Sequence, residues 1–123
     1  MAEAAHRMSR VDTAWLRMDN DVNLMMIVGV WLLTPKVSLQ AVRERVSDKL
    51  LKYDRFRQRV HQDTMGASWV ADEHFDLAHH VAPMPLRIEP GQTERQALQA
   101  LCAEMATEPL DPRHPLWQFH LVE

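Results

Sequence analysis

Between Trp117 and Val122 the side chains alternate, with Trp117, Phe119 and Leu121 at one parity and Gln118, His120 and Val122 at the other. Successive side chains of a strand point to opposite faces, so this spacing predicts a half-buried strand. Asp111, Pro112 and Pro115 punctuate the approach to it. Proline offers no amide hydrogen to a ladder and fixes its own φ, which keeps those positions outside a regular sheet. A face this aromatic needs neighbours, and burying it would be worth roughly 5 kcal/mol at the usual area coefficient. The expectation is therefore a sheet left unfinished at the end of the chain, where the residues self-associate or stay partly disordered.

Composition narrows the partners. The chain has 123 residues, with 14 basic and 17 acidic side chains and a formal charge of -3. That balance gives no electrostatic footprint for nucleic acid or for an anionic membrane surface. One cysteine, Cys102, cannot form an internal disulfide, which fits a reducing cytoplasm. The longest apolar run, Leu24 to Leu33, is shorter than the roughly 18 to 20 residues of a membrane-spanning helix, and the acidic N-terminus is not a secretory signal. The expected location is the cytoplasm, peripheral at most to membranes or lipid inclusions.

The order of elements comes from local signals. Residues 1–8 are expected to be a disordered N-terminus, and residues 9–123 the N-terminal portion of one incomplete domain. Ser9, with Asp12 three residues on, starts a helix whose stripe is Val11, Ala14, Trp15 and Met18. Met25 to Leu33 is apolar at both parities, the pattern of a central strand covered on both faces. Ser38 caps a helix through about Lys52, with Leu39, Val42, Val46, Leu50 and Tyr53 as its buried stripe. Phe56–His61 and Ser68–Ala71 flank the turn-like Asp63-Thr64-Met65-Gly66 and predict a hairpin. Asp72 to Pro85 shows no period and is expected to be an extended crossover on the sheet surface, followed by a short strand at Leu86–Glu89. Thr93 and Gln96 form a second capping box, opening a helix striped by Leu98, Leu101, Cys102 and Met105.

Seven histidines invite a catalytic or metal-binding reading. Neighbours in an extended chain point apart, so His79 and His80 are not expected to share a metal, and no third ligand stands at a suitable spacing. Asp72, Glu73, His74 and Asp76 are expected to be a solvated acidic loop, and His120 a satisfied surface histidine. Cys102 lies on a helix stripe, where an apolar setting suppresses the thiolate. Eight methionines could line an acyl-chain tunnel or simply fill an irregular core. There is no glycine-rich phosphate loop, nucleophile elbow or paired-carboxylate spacing. No catalytic residue and no metal ligand is expected in this chain.

Several segments together resemble a known family. Met8-Ser9-Arg10-Val11-Asp12-Thr13-Ala14-Trp15-Leu16, Phe56-Arg57-Gln58-Arg59-Val60, Trp69, Phe75-Asp76-Leu77, His80-Val81 and Leu110-Asp111 with Pro115-Leu116-Trp117 occur in the order found in bacterial wax ester synthase/acyl-CoA:diacylglycerol acyltransferases. The resemblance implies an α/β fold, part of a chloramphenicol acetyltransferase-like half-domain with a mixed sheet and helices packed on it, truncated before its catalytic motif. It makes Pro115, Leu116 and Trp117 the substrate-binding or motif-structural residues. The family's general base sits in His-His-x-x-x-Asp-Gly, and the chain ends before it. His79-His80-Val81-Ala82-Pro83-Met84-Pro85 is not that motif, since Met84 and Pro85 stand where Asp and Gly are required.

For function the resemblance implies transfer of a long-chain acyl group to diacylglycerol or a fatty alcohol, with acyl-CoA as substrate and no bound cofactor. The expected partners are the lipid alcohol, the remainder of the acyltransferase, or a second copy met through the C-terminal strand. The alternative is a non-catalytic half-domain that associates with another protein through its open sheet edge.

Overall fold

A computed structural model describes residues 5–123. The expected disorder of residues 1–4 lies outside the described residues. At His6–Arg7 the chain is instead a short strand, β1, because the neighbouring hairpin offers it a free edge, and Met8 behind it is buried. The helix α1 (Arg10–Met18) starts as expected, the Ser9 hydroxyl accepting the Asp12 amide hydrogen at 3.1 Å. The helix α2 (Leu39–Lys49) is capped in the same way by Ser38, and buries Val46. A 3-10 turn at Asp54–Arg57 takes Phe56 out of the expected hairpin.

That hairpin is β2 (Gln58–Asp63) and β3 (Gly66–Ala71), paired antiparallel from Gln58↔Ala71 to Asp63↔Gly66. Gly66 takes φ +132° at the turn, a region that side chains rarely adopt. With β1 on the far edge of β3, the sheet order is β1-β3-β2.

The segment expected to be a structureless crossover is more ordered than its sequence suggests. Asp76 caps a short helix, α3 (Leu77–His80), which runs directly into the strand β4 (Val81–Met84). The helix α4 (Glu94–Met105) opens on the full Thr93/Gln96 capping box. It leads back to β5 (Phe119–Val122), which pairs with β4 in parallel, so β4-α4-β5 is a crossover unit. No strand forms at Leu86–Glu89, but the Leu86 amide donates to the Glu123 carbonyl at 2.8 Å and prolongs the β4–β5 ladder.

The outer edge of β4 is closed. Leu86 N–H and Met84 C=O both serve Glu123, so by the period of a strand residues 82, 84 and 86 face β5 while residues 81, 83 and 85 face away. On that outer side Pro83 and Pro85 have no N–H, and the Val81 carbonyl accepts from Arg43 Nε of α2 at 3.0 Å.

The expected central strand at Met25–Leu33 is not one. Its residues form no strand and pair with none among the described residues, with Ile27 96% exposed, Trp31 79% and Leu32 85%. A run apolar at both parities becomes a strand only when neighbouring strands satisfy its backbone, and none among the described residues does. The stripe of α1 is likewise uncovered. Thr13, Leu16 and Arg17 line a groove with the hairpin tip, which turns Val11, Trp15 and Met18 outward. The chain exposes 9732 Å². A compact monomer of its 14.3 kDa mass would expose about 6,800 Å².

Candidate functional site around Trp117

The residues brought together are those of the two motifs that the sequence places far apart, His80-Val81 and Pro115-Leu116-Trp117. The α3-to-β4 junction buries His80 and Val81 at 1% and 0% exposure. Parallel pairing of Val81 with Phe119 then sets Trp117 beside His80. The two rings lie near parallel with centroids 4.5 Å apart, and Phe75 lies near parallel to His80 at 5.0 Å. Trp117 donates its indole N–H to the Phe56 carbonyl at 2.8 Å. Its own carbonyl lies 2.7 Å from His80 Nδ1. Pro115 is buried and Leu116 is exposed, so the three motif residues divide between scaffold and surface.

The residues just before Pro115 are held by Asp72. Its carboxylate stands 3.1 Å from His114 Nδ1 and also accepts the His74 amide hydrogen at 3.0 Å. Asp72 is therefore buried, not part of a solvated loop, because these partners replace the water it gives up. Burial pushes its pKa up, but the hydrogen bonds from His114 and the His74 amide, helped by the positive field of His114 and Arg59, outweigh it and leave the pKa below its ordinary value. Asp111 grips Arg113 through both oxygens at 2.8 to 3.1 Å, and these bonds hold its carboxyl well below the usual range.

The His80 pKa is lowered as well, which in a histidine favours the neutral ring. Desolvation lowers its pKa, against the hydrogen bond to Trp117, which raises it. His79 lies edge-on to it with centroids 5.1 Å apart, closer than an extended chain would allow because both sit on α3. Among the described residues no group of three or more His, Cys, Asp or Glu is placed to hold a metal. His120 is not a satisfied surface histidine, since its Nδ1 is buried without a partner and burial lowers its pKa. An open cleft of about 480 Å³ lies beside the cluster, lined by Arg59, Asp72, Glu73, His74, Arg113 and His114. Its walls carry both signs of charge and suit no acyl chain. Met8 is buried while Met18 and Met65 face solvent.

Sequence reasoning missed Asp72 and the burial of His80. The available signal was local: Asp72 and Asp76 each precede, by two residues, an amide they can accept from, which makes turns that fold the next few residues inward.

No helix among the described residues is long and apolar enough to cross a membrane. No solved structure matches the chain. It is 33% identical over 124 residues to the probable diacylglycerol O-acyltransferase tgs3 of Mycobacterium tuberculosis, in strains CDC 1551 and H37Rv, covering 95% of this chain and 44% of each relative. The chain thus spans less than half the length of these relatives. Residues 8–123 match the family described as the wax ester synthase/diacylglycerol acyltransferase catalytic domain. With its motif residues gathered about Trp117 and its mixed α/β arrangement in keeping with such a domain, the chain belongs to the wax ester synthase/diacylglycerol acyltransferase family.

Proposed function

We propose that this chain is the N-terminal portion of an O-acyltransferase that moves a long-chain acyl group from acyl-CoA to diacylglycerol or a fatty alcohol. The observation that carries the reading is the family match across residues 8–123. The sequence holds no His-His-x-x-x-Asp-Gly, so the base that takes the hydroxyl proton belongs to other residues, and these residues are inactive by themselves. Their part is structural: they build the Pro115–Trp117 turn and one flank of the domain. The test is acyl transfer from a long-chain acyl-CoA to diacylglycerol and to hexadecanol. Activity is expected only when the chain is joined to a partner segment carrying the missing motif. Turnover by these 123 residues alone would refute the assignment of roles.

A second reading, association of a non-catalytic half-domain, is favoured by the unpaired edge of β5 and the exposed run Ile27–Leu33. Unpaired strand edges and large apolar patches both mark interaction surfaces. It is distinguished by an inactive complex with another protein where the first reading requires an active one.

A further inference from the structure

We infer that His80 is the positioning residue of the Pro115–Leu116–Trp117 turn, locking it by donating Nδ1–H to the Trp117 carbonyl in the neutral state of the ring. The inference rests on the acyltransferase reading only for its consequence in catalysis, not for the lock itself.

A carbonyl oxygen only accepts, so a nitrogen 2.7 Å away must carry hydrogen. A neutral imidazole carries one such hydrogen, which leaves Nε2 as a bare lone pair. Nε2 is buried and has no partner among the described residues. A second N–H there would be a buried donor without an acceptor, a costlier defect than an idle lone pair.

Of the charged groups that act on the ring, one carboxylate favours a charge there and two histidines oppose it. Asp72 favours the charged ring from a distance, but its carboxylate is occupied by His114 and the His74 amide and accepts nothing from Nε2, while His79 and His114 would repel a charged ring. From α2, Arg43 binds the adjacent Val81 carbonyl. The lock therefore has one chemical form. With Trp117 also tied through its indole to Phe56, both ends of the residue are fixed, and Leu116 is the exposed member of the three.

Long-range proton–nitrogen NMR of the His80 ring in the 123-residue chain at pH 7 reads the form directly. The expected spectrum has hydrogen on Nδ1 and a bare Nε2. Hydrogen on Nε2 alone, or on both nitrogens, would overturn the proposal. His80→Phe keeps a ring but removes the donor, and His80→Asn restores a donor near the Nδ1 position. Hydrogen exchange at the Trp117 indole N–H and the Phe119 amide should speed up about tenfold in His80→Phe and return most of the way in His80→Asn, the loss expected of one hydrogen bond. Unchanged protection in His80→Phe would show that stacking alone holds the turn, and would overturn the lock. In an active longer protein the same pair should lower and partly restore kcat/KM. The ring spectrum is independent of acyl transfer, so Nδ1–H in the chain together with an inactive longer protein that carries the missing motif would count against the acyltransferase reading and leave the lock intact.

Discussion

His80 and Asp72 depend on pH in different windows. The folded pKa of His80 is depressed, as is that of His120, so the unfolded chain binds their protons first. The stability these residues contribute is full above about pH 6.5 and is lost as pH falls below it. Asp72 is also depressed, and its contribution is full above about pH 3.9 and lost on further acidification. The urea midpoint, measured from pH 8 to pH 3, should fall first with the histidines and again with Asp72. In the Asp72→Asn protein the second fall should shrink, and the protein should be less stable by about 1 to 3 kcal/mol at pH 7, the cost of weakening a buried hydrogen-bonded pair. Burial of this kind is not legible in the sequence. Asp72 stands among Glu73, His74 and Asp76, where composition reads as solvent; its turn onto the His74 amide is local, but the contact with His114 that completes its enclosure comes from 42 positions away.

Elements whose signals are local are legible in the sequence. Ser9, Ser38 and Thr93 each accept the amide hydrogen that their spacing predicts, and the β2–β3 turn falls on Asp63–Gly66. Thr93→Ala removes the hydroxyl that accepts the Gln96 amide hydrogen, leaving the backbone amide of residue 93 on the Gln96 side chain, and should cost about 1 kcal/mol, seen as a lower thermal midpoint by circular dichroism. The β4 strand is not legible, because Pro83 argues against a strand and its partner β5 lies across the whole of α4. The Met25–Leu33 run shows the converse failure. Its pattern is that of a central strand, but a strand is a property of a pair, and no described residue supplies the other member.

At the scale of the whole molecule, the exposed surface is roughly 2,900 Å² above that of a compact monomer. Val11, Trp15 and Met18 on α1 and the run from Ile27 to Leu33 account for much of the apolar part. The chain should bind a hydrophobic dye and associate at micromolar concentration. Ile27→Lys with Trp31→Lys should reduce both by several-fold, measured by dye fluorescence and light scattering, without lowering the urea midpoint, since neither residue is buried.

The prolines of β4 decide what form any association through the sheet can take. With one margin of the β4–β5 sheet capped by Pro83, Pro85 and the Arg43 side chain, hydrogen-bonded growth of that sheet is possible past β5 and not past β4. Two copies that meet there antiparallel are related by a twofold axis and leave the capped β4 margins at both ends of the joined sheet, so growth of that sheet stops at the pair. Association through β5 should accordingly give dimers and not fibrils on sedimentation, whereas exchanging Pro83 and Pro85 for residues that carry an amide hydrogen would reopen the second margin of that sheet to continued growth.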